Sequence, residues 1–584
     1  MVRSLASKLR SFTAPASFGG KPLTGVTDFV TGPIDQISRR IKLGPLGALS
    51  EVPFNVKVLA EAGVIRPVRP DRLAAMAVLL SRWGASPAAG IAGAAVNHPD
   101  EPMIEDELGT LTFAEVHSRS NAIARGLAQG GVGEGDGVAI MCRNHRGFIE
   151  ATLAVSKLGA SGLYMNTAFS GPQLADVIER EKPQALVYDE EFSELLEKAS
   201  TAGKEIGLNR YVAWSEDKDP AEKEDTTLAE LIESNSDDDL HPPDESGRFV
   251  ILTSGTTGTP KGAQRAQPDT LSPLASLFSK IPLHAREKTM IAAPMFHSWG
   301  FAHFVLGLAL NSTYVLRRKF DPQDTLEAIE ESGATALVVV PVMMQRIMEL
   351  PEETLREYTL PSLRVTAASG SVLPGELALK WMDRFGDNVY NLYGSTEVAW
   401  ATIATPEDLR AAPGTAGRPP RGTVVRIVDE DGNDVEQGRT GRVFVGNEMA
   451  FEGYTGGGGK DELGGLLSSG DVGHFDDDGR LFIDGRDDEM IVSGGENVFP
   501  REVEDLLADH DDVKEVAVIG VDDEQFGQRL KAFVVLRDGE ELSEDDIKGY
   551  VKSNLARYKV PREVEFLDSL PRNATGKVLK RELA

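Results

Sequence analysis

The segment TSGTTGTPKG, residues 253–262, concentrates glycines, hydroxyl side chains and one lysine within ten positions. Gly255 and Gly258 allow a tight turn that brings backbone N–H groups towards an anion, and Lys261 adds a positive charge. A Gly/Thr-rich surface turn would explain the glycines but not the cluster of donors beside a cation. The segment therefore predicts a phosphate-binding loop that contains Thr253, Ser254, Gly255, Thr256, Thr257, Gly258 and Lys261.

The spacing of this loop differs from that of a Walker A loop. Its pattern is G-x-x-G-x-x-K followed by Gly262, whereas a Walker A loop requires G-x-x-x-x-G-K-[ST]. A P-loop GTPase or ATPase, which would release phosphate and a nucleoside diphosphate, is therefore an alternative that lacks its own motif. A nucleotide-binding scaffold without turnover is a further alternative.

The phosphate-binding loop must be positioned by a secondary-structure element. The apolar run Phe249–Leu252 just before the loop predicts a strand that does this. Upstream, apolar runs at 138–142 and 185–188 alternate with a helical pattern at 146–158 and a second helix that starts at Ser170. Alternation of this kind indicates a layered α/β domain. The polar, acidic segment 216–245 is interpreted as a surface connection.

The C-terminal part of the chain has the pattern of a separate α/β unit. It contains the apolar runs KEVAVIGV and KAFVVL and a helix that Ser543 would cap, with Asp546 three residues later. Residues 1–70 carry no chemical motif and are interpreted as an N-terminal extension with turns and short helices.

Charge and cysteine content exclude several function classes. The 91 acidic residues exceed the 61 basic ones, a net charge of −30 that repels nucleic acid and anionic lipid. Cys142 is the single cysteine, so an internal disulfide and multi-cysteine zinc sites are excluded, and we interpret it as a buried strand residue without a catalytic part.

The same features predict a cytoplasmic protein, since the chain lacks a signal-peptide pattern and an apolar run of about 20 residues. Peripheral membrane contact stays an alternative, because Leu5, Leu9 and Phe12 have helical spacing beside basic residues. The sequence leaves a homo-oligomer open.

Further motifs follow TSGTTGTPKG in a fixed order. They are PMFHSWG (294–300), ASGSVLPGEL (368–377), YGSTE (393–397), SGDVGHFDDDGRLFIDGRDDEMIVSGGENVFPREVE (469–504) and PRNATGKVLKREL (571–583). Together they resemble the adenylate-forming superfamily of acyl-CoA synthetases, firefly luciferase and peptide-synthetase adenylation domains. The resemblance covers roughly residues 75–584, and FEGYTGGGGK and MIVSGGENVFP are similar to segments of bacterial fatty-acyl-CoA ligases.

The resemblance implies a large AMP-binding domain at 71–485 and a small mobile domain at 486–584, with Asp488 as the hinge. It further implies a ligase that uses ATP, Mg²⁺ and CoA to convert a carboxylic acid into an acyl adenylate and then a thioester. The expected substrate is a medium- or long-chain fatty acid, and an aryl or other carboxylic acid is the alternative. A luciferase-like oxidation shares the first half-reaction and stays open.

The resemblance also assigns roles to single residues. Lys577, Glu397 and Thr256 would be catalytic, Glu397 would hold Mg²⁺, and Asp471 with Arg486 would bind the ribose. Gly494 and Gly495 would line the channel for the pantetheine arm of CoA. Further nucleotide contacts would come from Ser369, Gly370, Ser371, Asn391, Tyr393, Gly394 and Thr396, and the acyl pocket would include His297, Ala368 and Gly370.

Two features bear on the acceptor and on the acid. The sequence ends at Ala584, soon after the Lys577 motif and without a carrier domain, so a free thiol such as CoA is expected. His297 stands where peptide-synthetase domains carry an aspartate for an amino group, which favours a non-amino acid. A simple packing role for His297 is the alternative.

Overall fold

The computed structural model of the chain describes most of the sequence, with short gaps. The described residues are 45–66, 83–84, 86–201, 208–216, 225–253, 261–265, 270–449, 451–455, 457–489, 491–493, 496–523, 527–573 and 576–583.

Four sheets organise these residues. Their strands, in chain order, are β1 Pro102–Asp106, β2 Gly109–Thr112, β3 Gly137–Met141, β4 Ser161–Tyr164, β5 Ala185–Asp189, β6 Asn209–Trp214, β7 Thr226–Thr227, β8 Phe249–Thr253, β9 Lys261–Arg265, β10 Lys288–Ile291, β11 Thr313–Val315, β12 Ala336–Val339, β13 Val365–Ala368, β14 Val389–Tyr393, β15 Thr402–Ala404, β16 Val424–Val428, β17 Gly441–Gly446, β18 Phe451–Tyr454, β19 Glu462–Leu463, β20 Leu466–Phe475, β21 Leu481–Arg486, β22 Ile491–Ser493, β23 Glu496–Val498, β24 Val513–Asp523, β25 Gly527–Leu536 and β26 Glu563–Phe566.

Helices cover the sheets. In chain order they are α1 Pro45–Glu61, α2 Pro87–Asn97, α3 Phe113–Gln129, α4 Arg146–Lys157, α5 Gly171–Glu181, α6 Ser193–Thr201, α7 Leu228–Ser234, α8 Ser272–Phe278, α9 Ser298–Leu310, α10 Pro322–Ser332, α11 Pro341–Met348, α12 Glu352–Glu357, α13 Gly375–Phe385, α14 Pro406–Ala411, α15 Pro500–Ala508 and α16 Glu544–Asn554.

Two eight-stranded sheets form the large domain. The first has the order β15-β14-β13-β12-β10-β11-β1-β2 and is parallel from β14 to β1. The second has the order β18-β9-β8-β4-β3-β5-β6-β7 and is parallel from β8 to β7. The strands of such sheets are buried on both faces, and β5 and β12 are buried at every position.

A third, antiparallel sheet contains β16, β17, β19, β20 and β21, and it carries two residues of the candidate site on adjacent strands. The fourth sheet lies at the C-terminus, with the order β23-β22-β25-β24 and β26 beside β25. Its own apolar core includes Val498, Leu507 and Val534. The predicted α/β class with a separate C-terminal unit is confirmed.

Local predictions can be compared with the observed elements. Helix α5 begins directly after Ser170, and Ser543 caps α16 by accepting from the backbone N–H of Asp546 at 3.3 Å, so both predicted starts are confirmed. The interpretation of 216–245 as a plain surface connection is wrong in part, because α7 lies within it. A capping box formed by Thr227 and Glu230 starts that helix, and Leu228 and Leu231 bury its apolar side.

Helix α1 places part of the N-terminal extension against the large domain. It spans 17 residues, so the expectation of short helices is wrong there. Leu59 is 2% exposed and belongs to the core of the large domain, and the side-chain amide of Asn55 donates to Ser272 Oγ at 2.8 Å. The contact is therefore both apolar and polar.

None of the helices that the structure describes combines the length with the apolar character that a membrane span requires.

Replacement of Leu59 by alanine tests whether α1 is part of this core. Because the side chain is almost fully buried, we expect Leu59→Ala to lower the free energy of unfolding by about 2–4 kcal/mol. Val56 on the same helix is 39% exposed, and Val56→Ala should change it by less than about 0.5 kcal/mol. Urea denaturation of both variants measures the difference, and equal midpoints would contradict the packing of α1 against the core.

Candidate active site

Three predicted motifs lie at one edge of the first sheet. Strands β10, β13 and β14 belong to its parallel part, so the segments that follow them leave from the same edge. These segments carry His297 after β10, Ser369 to Ser371 after β13, and Gly394 to Glu397 after β14. The carboxyl edge of a parallel sheet is the usual position of a ligand site in α/β folds.

The turn after β14 depends on a glycine. A methyl group at Gly394 would lie 2.0 Å from the carbonyl oxygen of Ala399, so no larger residue fits without a backbone shift. Within the turn, the backbone N–H of Glu397 donates to Ser395 Oγ at 3.2 Å, and Thr396 Oγ1 lies 2.9 Å from Ser298 Oγ of α9. The turn is thereby tied to the segment that follows β10.

Glu397 lies in a set of donors that holds its carboxylate ionised. Tyr454 Oη donates to Glu397 Oε1 at 2.6 Å, and Ser395 Oγ donates to Oε2 at 2.9 Å. Burial opposes ionisation, but these two bonds and the charge of Lys460 outweigh it, and the pKa of Glu397 lies below its usual value.

An ionised, oxygen-only ligand fits the requirements of Mg²⁺, which prefers carboxylates and phosphate oxygens. Glu397 is the residue that would hold the ion, which is the role that the resemblance to adenylate-forming enzymes implies for it. When bound beside ATP, Mg²⁺ would neutralise charge on the phosphates.

A second group of side chains bridges the first and third sheets. Tyr393 Oη donates to Asp471 Oδ2 at 2.5 Å, and Arg486 Nη1 donates to Asp471 Oδ1 at 3.1 Å. Asp471 on β20 and Arg486 on β21 are direct partners in the antiparallel register. Burial, followed by the charge of Asp471, raises the pKa of Tyr393 well above its usual value, so its hydroxyl keeps its proton and remains a donor.

The residues predicted around ASGSV have different surroundings. Ala368 is fully buried, and Ser369 is 6% exposed with its hydroxyl donating to the carbonyl of Leu392 at 2.8 Å. Gly370 is exposed and has a φ of 95°, a conformation that favours glycine. Asn391 is nearly buried on β14, whereas Ser371 is partly exposed.

His297 lies just before α9, and its Nε2 atom is buried without a hydrogen-bond partner among the described residues. Burial lowers its pKa to about 4, so the imidazole is neutral near pH 7. His303, on α9, shares these properties: it is 2% exposed, its Nε2 has no partner in the described part of the chain, and burial lowers its pKa to about 4.

The side chain of Trp299 connects this helix to the sheet edge. Its indole Nε1 donates to the carbonyls of Val339 and Ala367 at 3.1 and 3.3 Å, at the ends of β12 and β13. Its ring meets His303 edge to face, with 4.3 Å between ring centres. Trp299 and His303 of α9 were not predicted for the site, although their spacing by four helical positions indicates one face.

The segment that carries Lys577 contacts the large domain at the same sheet edge. A methyl group at Gly576 would lie 2.2 Å from Val342 Cγ1, in the first turn of α11 just after β12. Lys577 itself is exposed, and its backbone N–H donates to Asn573 Oδ1 at 2.8 Å. The structure thus places the residue before the predicted adenylation lysine against the segment between β12 and α11.

Several predicted residues fall outside the described part of the chain. Thr253 ends β8 and Lys261 begins β9, and these two residues are partners in the antiparallel register. Asp488 lies in a single turn of 3-10 helix, Asp487–Glu489, between β21 and β22. The predicted residues outside the described ranges are Ser254, Gly255, Thr256, Thr257, Gly258, Gly494 and Gly495.

Cys142 lies away from these groups, one residue past β3, and is buried. Burial and then the nearby Asp189 raise the pKa of its thiol well above the usual value, so the thiol stays protonated. His145 beside it is satisfied on both nitrogens, since Nε2 donates to Asp189 Oδ1 at 2.8 Å and Nδ1 accepts from the N–H of Gly147 at 3.1 Å.

Comparisons with known proteins establish the class. The model of the AMP-binding enzyme family matches residues 91–455, and that of the C-terminal domain of AMP-binding enzymes matches residues 502–577. Because the first match alone spans more than half of the sequence, the chain belongs to the AMP-binding, or adenylate-forming, enzymes.

Individual relatives cover most of the chain. The indoleacetate–CoA ligase of Aromatoleum aromaticum is 31% identical over 490 residues, 81% of this chain and 92% of that protein. The o-succinylbenzoate CoA synthetase of Bacillus subtilis, solved with its acyl-adenylate intermediate, is 26% identical with a TM-score of 0.72, covering 85% of this chain and 97% of that chain. The fatty acyl CoA synthetase of Mycobacterium tuberculosis is 27% identical with a TM-score of 0.66, covering 85% and 97%.

Gly394→Ala tests whether the turn after β14 forms part of the nucleotide site. The added methyl group must displace the backbone near Ala399 and with it Glu397, so we expect ATP binding to weaken by roughly tenfold or more, about 1.4 kcal/mol. Isothermal titration calorimetry with MgATP measures it. Gly93→Ala is the control, because a methyl group at Gly93 in α2 meets nothing within 4 Å. Unchanged binding by a folded Gly394→Ala protein would contradict the assignment.

Proposed function

We propose that the protein is an ATP-dependent acid–CoA ligase that forms an acyl adenylate and transfers the acyl group to CoA, with release of AMP and pyrophosphate. The observation that supports this proposal most strongly is that three predicted parts of the site lie at one edge of the first sheet. There the ionised Glu397, the segment with His297 and the segment that precedes Lys577 meet. Family membership and the names of the relatives above support the same reaction.

The first half-reaction activates an unreactive acid. A carboxylate oxygen of the substrate attacks the α-phosphorus of ATP, an acyl–phosphate bond forms, and the bond to the bridging oxygen of the β-phosphate breaks. Negative charge grows on the α-phosphate and on the departing pyrophosphate. A preorganised cation at this position stabilises such charge by about 3–4 kcal/mol. Lys577 is proposed to supply it, since its neighbour Gly576 contacts Val342 after β12.

The ribose and adenine are proposed to lie between the first and third sheets. The Asp471 carboxylate already accepts from Tyr393 and Arg486, and an ionised carboxylate has room to accept from ribose hydroxyls as well. Tyr393 presents an aromatic ring beside that carboxylate. The nucleoside would thus be bound by residues from β14, β20 and β21.

The second half-reaction exchanges AMP for a thiol. The sulfur of CoA attacks the acyl carbonyl, a thioester bond forms, the bond to the AMP phosphate breaks, and the thiol proton passes to solvent. Rotation of the C-terminal domain about Asp488 is proposed to exchange the Lys577 segment for the segment around residues 493–497. Domain movement of this kind is a known form of conformational switching.

The proposed acid is a medium- or long-chain fatty acid. The residues at the end of β13 support this choice, because Ala367 and Ala368 are small and apolar and Gly370 has no side chain, where a methyl group would already lie 3.3 Å from Val340 Cγ1. The likeness to the fatty acyl CoA synthetase of Mycobacterium tuberculosis adds support.

An aryl or heteroaryl acid is the second candidate, and His303 favours it. The carbonyl of Trp299 can only accept, so the imidazole proton lies on Nδ1, which donates to that carbonyl at 3.2 Å. Nε2 is then a buried acceptor without a described partner, a state that costs about 1–3 kcal/mol. A phenol or an indole N–H on the substrate could satisfy it.

A panel of carboxylic acids distinguishes the two candidates. Acids from C2 to C20, benzoates, hydroxycinnamates and indole acetate would be compared by AMP release with ATP and CoA. The proposal predicts the highest kcat/KM for medium or long alkyl chains. A preference for acids with a ring-borne donor, lost in His303→Phe, would establish the second candidate instead. Release of ADP rather than AMP would contradict the ligase proposal itself.

A further inference from the structure

A lysine outside the predicted site residues lies beside the candidate ribose-binding pair. A methyl group at Gly470 would be 3.3 Å from Lys460 Nζ and 3.1 Å from Arg486 Nη2, so the two cations flank the same point. Gly470 has a φ of 81°, and both this conformation and the crowding favour glycine there. Gly470 directly precedes Asp471 on β20.

The two cations are not equally neutralised. Arg486 has Asp471 as an ion-pair partner at 3.1 Å. Lys460, which is only partly exposed, makes no hydrogen bond or ion pair with the residues that the structure describes. Two positive groups at one point repel each other unless an anion lies between them.

The chain reaches Lys460 through an anchored, glycine-rich segment. This segment, residues 454–460, leaves β18 at Tyr454, whose hydroxyl binds Glu397. Next to it, Thr455 Oγ1 accepts from the N–H of Gly262 at 3.1 Å and donates to Glu181 Oε1 at 2.6 Å. Gly262 lies on β9, directly after the predicted phosphate loop. The segment is therefore anchored both to Glu397 and to the start of strand β9.

Left-handed glycines complete the turn. Gly457 and Gly458 have φ values of 93° and 95°, and the N–H of Gly457 donates to the carbonyl of Tyr454 at 3.0 Å. The N–H of Tyr454 in turn donates to the carbonyl of Gly458 at 3.3 Å. The two ends of the segment thus reach different parts of the site, since Tyr454 contacts the candidate Mg²⁺ ligand and Lys460 lies beside the candidate ribose pair. In ATP the polyphosphate connects these two places.

We propose that Lys460 binds the β- and γ-phosphates of ATP and the pyrophosphate that leaves, and that the described residues around it, 454–455 and 457–460, form a second phosphate-binding element. The proposal rests on the proposed function for the identity of the anion. In a protein with a net charge of −30, such a local cation also reduces the repulsion of a polyanionic substrate. A phosphate of CoA is the other source of the same chemistry.

Lys460→Met tests the proposal, because methionine keeps the aliphatic length and removes the charge. Loss of one charge-assisted contact should raise the KM for pyrophosphate in carboxylate-dependent ATP–pyrophosphate exchange about tenfold or more. The KM values for the acid and for CoA should stay within about twofold. Lys460→Arg should recover most of the affinity for pyrophosphate. Lys380→Met is the control, since Lys380 is 57% exposed on α13 and pairs with Glu376.

A direct binding measurement separates this proposal from the proposed function. Calorimetry with magnesium pyrophosphate should show the same weakening in Lys460→Met without any turnover. Should the wild type show no exchange with any acid, the ligase proposal fails, and calorimetry still decides the role of Lys460. Equal affinity of wild type and Lys460→Met for pyrophosphate would overturn the proposal, and so would a raised KM for CoA alone.

Discussion

The candidate site depends on one constraint, which is that parallel strands end at the same edge of their sheet. Strands β10, β12, β13 and β14 belong to one parallel set, so the four segments that follow them leave from the same edge, although these segments are far apart in the sequence. A short segment after each strand is then enough to bring a side chain into the candidate site. The third sheet adds Asp471 and Arg486 from the side through the contact with Tyr393.

Charge is distributed unevenly around this edge. The chain as a whole carries a net charge of −30, yet Arg486 and Lys460 approach one point, and the segment before Lys577 contacts Val342 nearby. The carboxylate of Glu397 is held ionised by donors rather than by direct ion pairing, which leaves its charge available to a cation. A site for a nucleotide needs both properties, because a polyphosphate and its metal ion carry opposite charges.

The sequence predicts the strongly patterned parts of the fold and site well. The strand before the Gly/Thr loop, the start of α5 after Ser170 and the cap at Ser543 follow from local rules of burial and capping. Helix α7 was missed because the acidic composition of its surroundings outweighed the capping box at Thr227.

Residues whose role depends on tertiary contact were also missed. Tyr454 and Lys460 lie in FEGYTGGGGK, a segment that the sequence analysis used only for its similarity to bacterial fatty-acyl-CoA ligases. The partner of Tyr454, Glu397, is 57 residues away in sequence. Neither hydrophobic periodicity nor secondary-structure propensity predicts such a contact, because the contact depends on the order of strands in two sheets. The buried Nε2 atoms of His297 and His303, which have no hydrogen-bond partner among the residues that the structure describes, likewise appear only when the packing is known.

The central claim is that a cation from the C-terminal segment acts on a nucleotide bound by the large domain. Lys577→Ala tests it most directly, with each half-reaction measured separately and exposed Lys552→Ala as the control. Carboxylate-dependent ATP–pyrophosphate exchange should fall by about 10²–10³-fold, as for the loss of one preorganised donor. Thioester formation from a supplied acyl adenylate should change little. A folded Lys577→Ala protein with unchanged exchange would contradict the account.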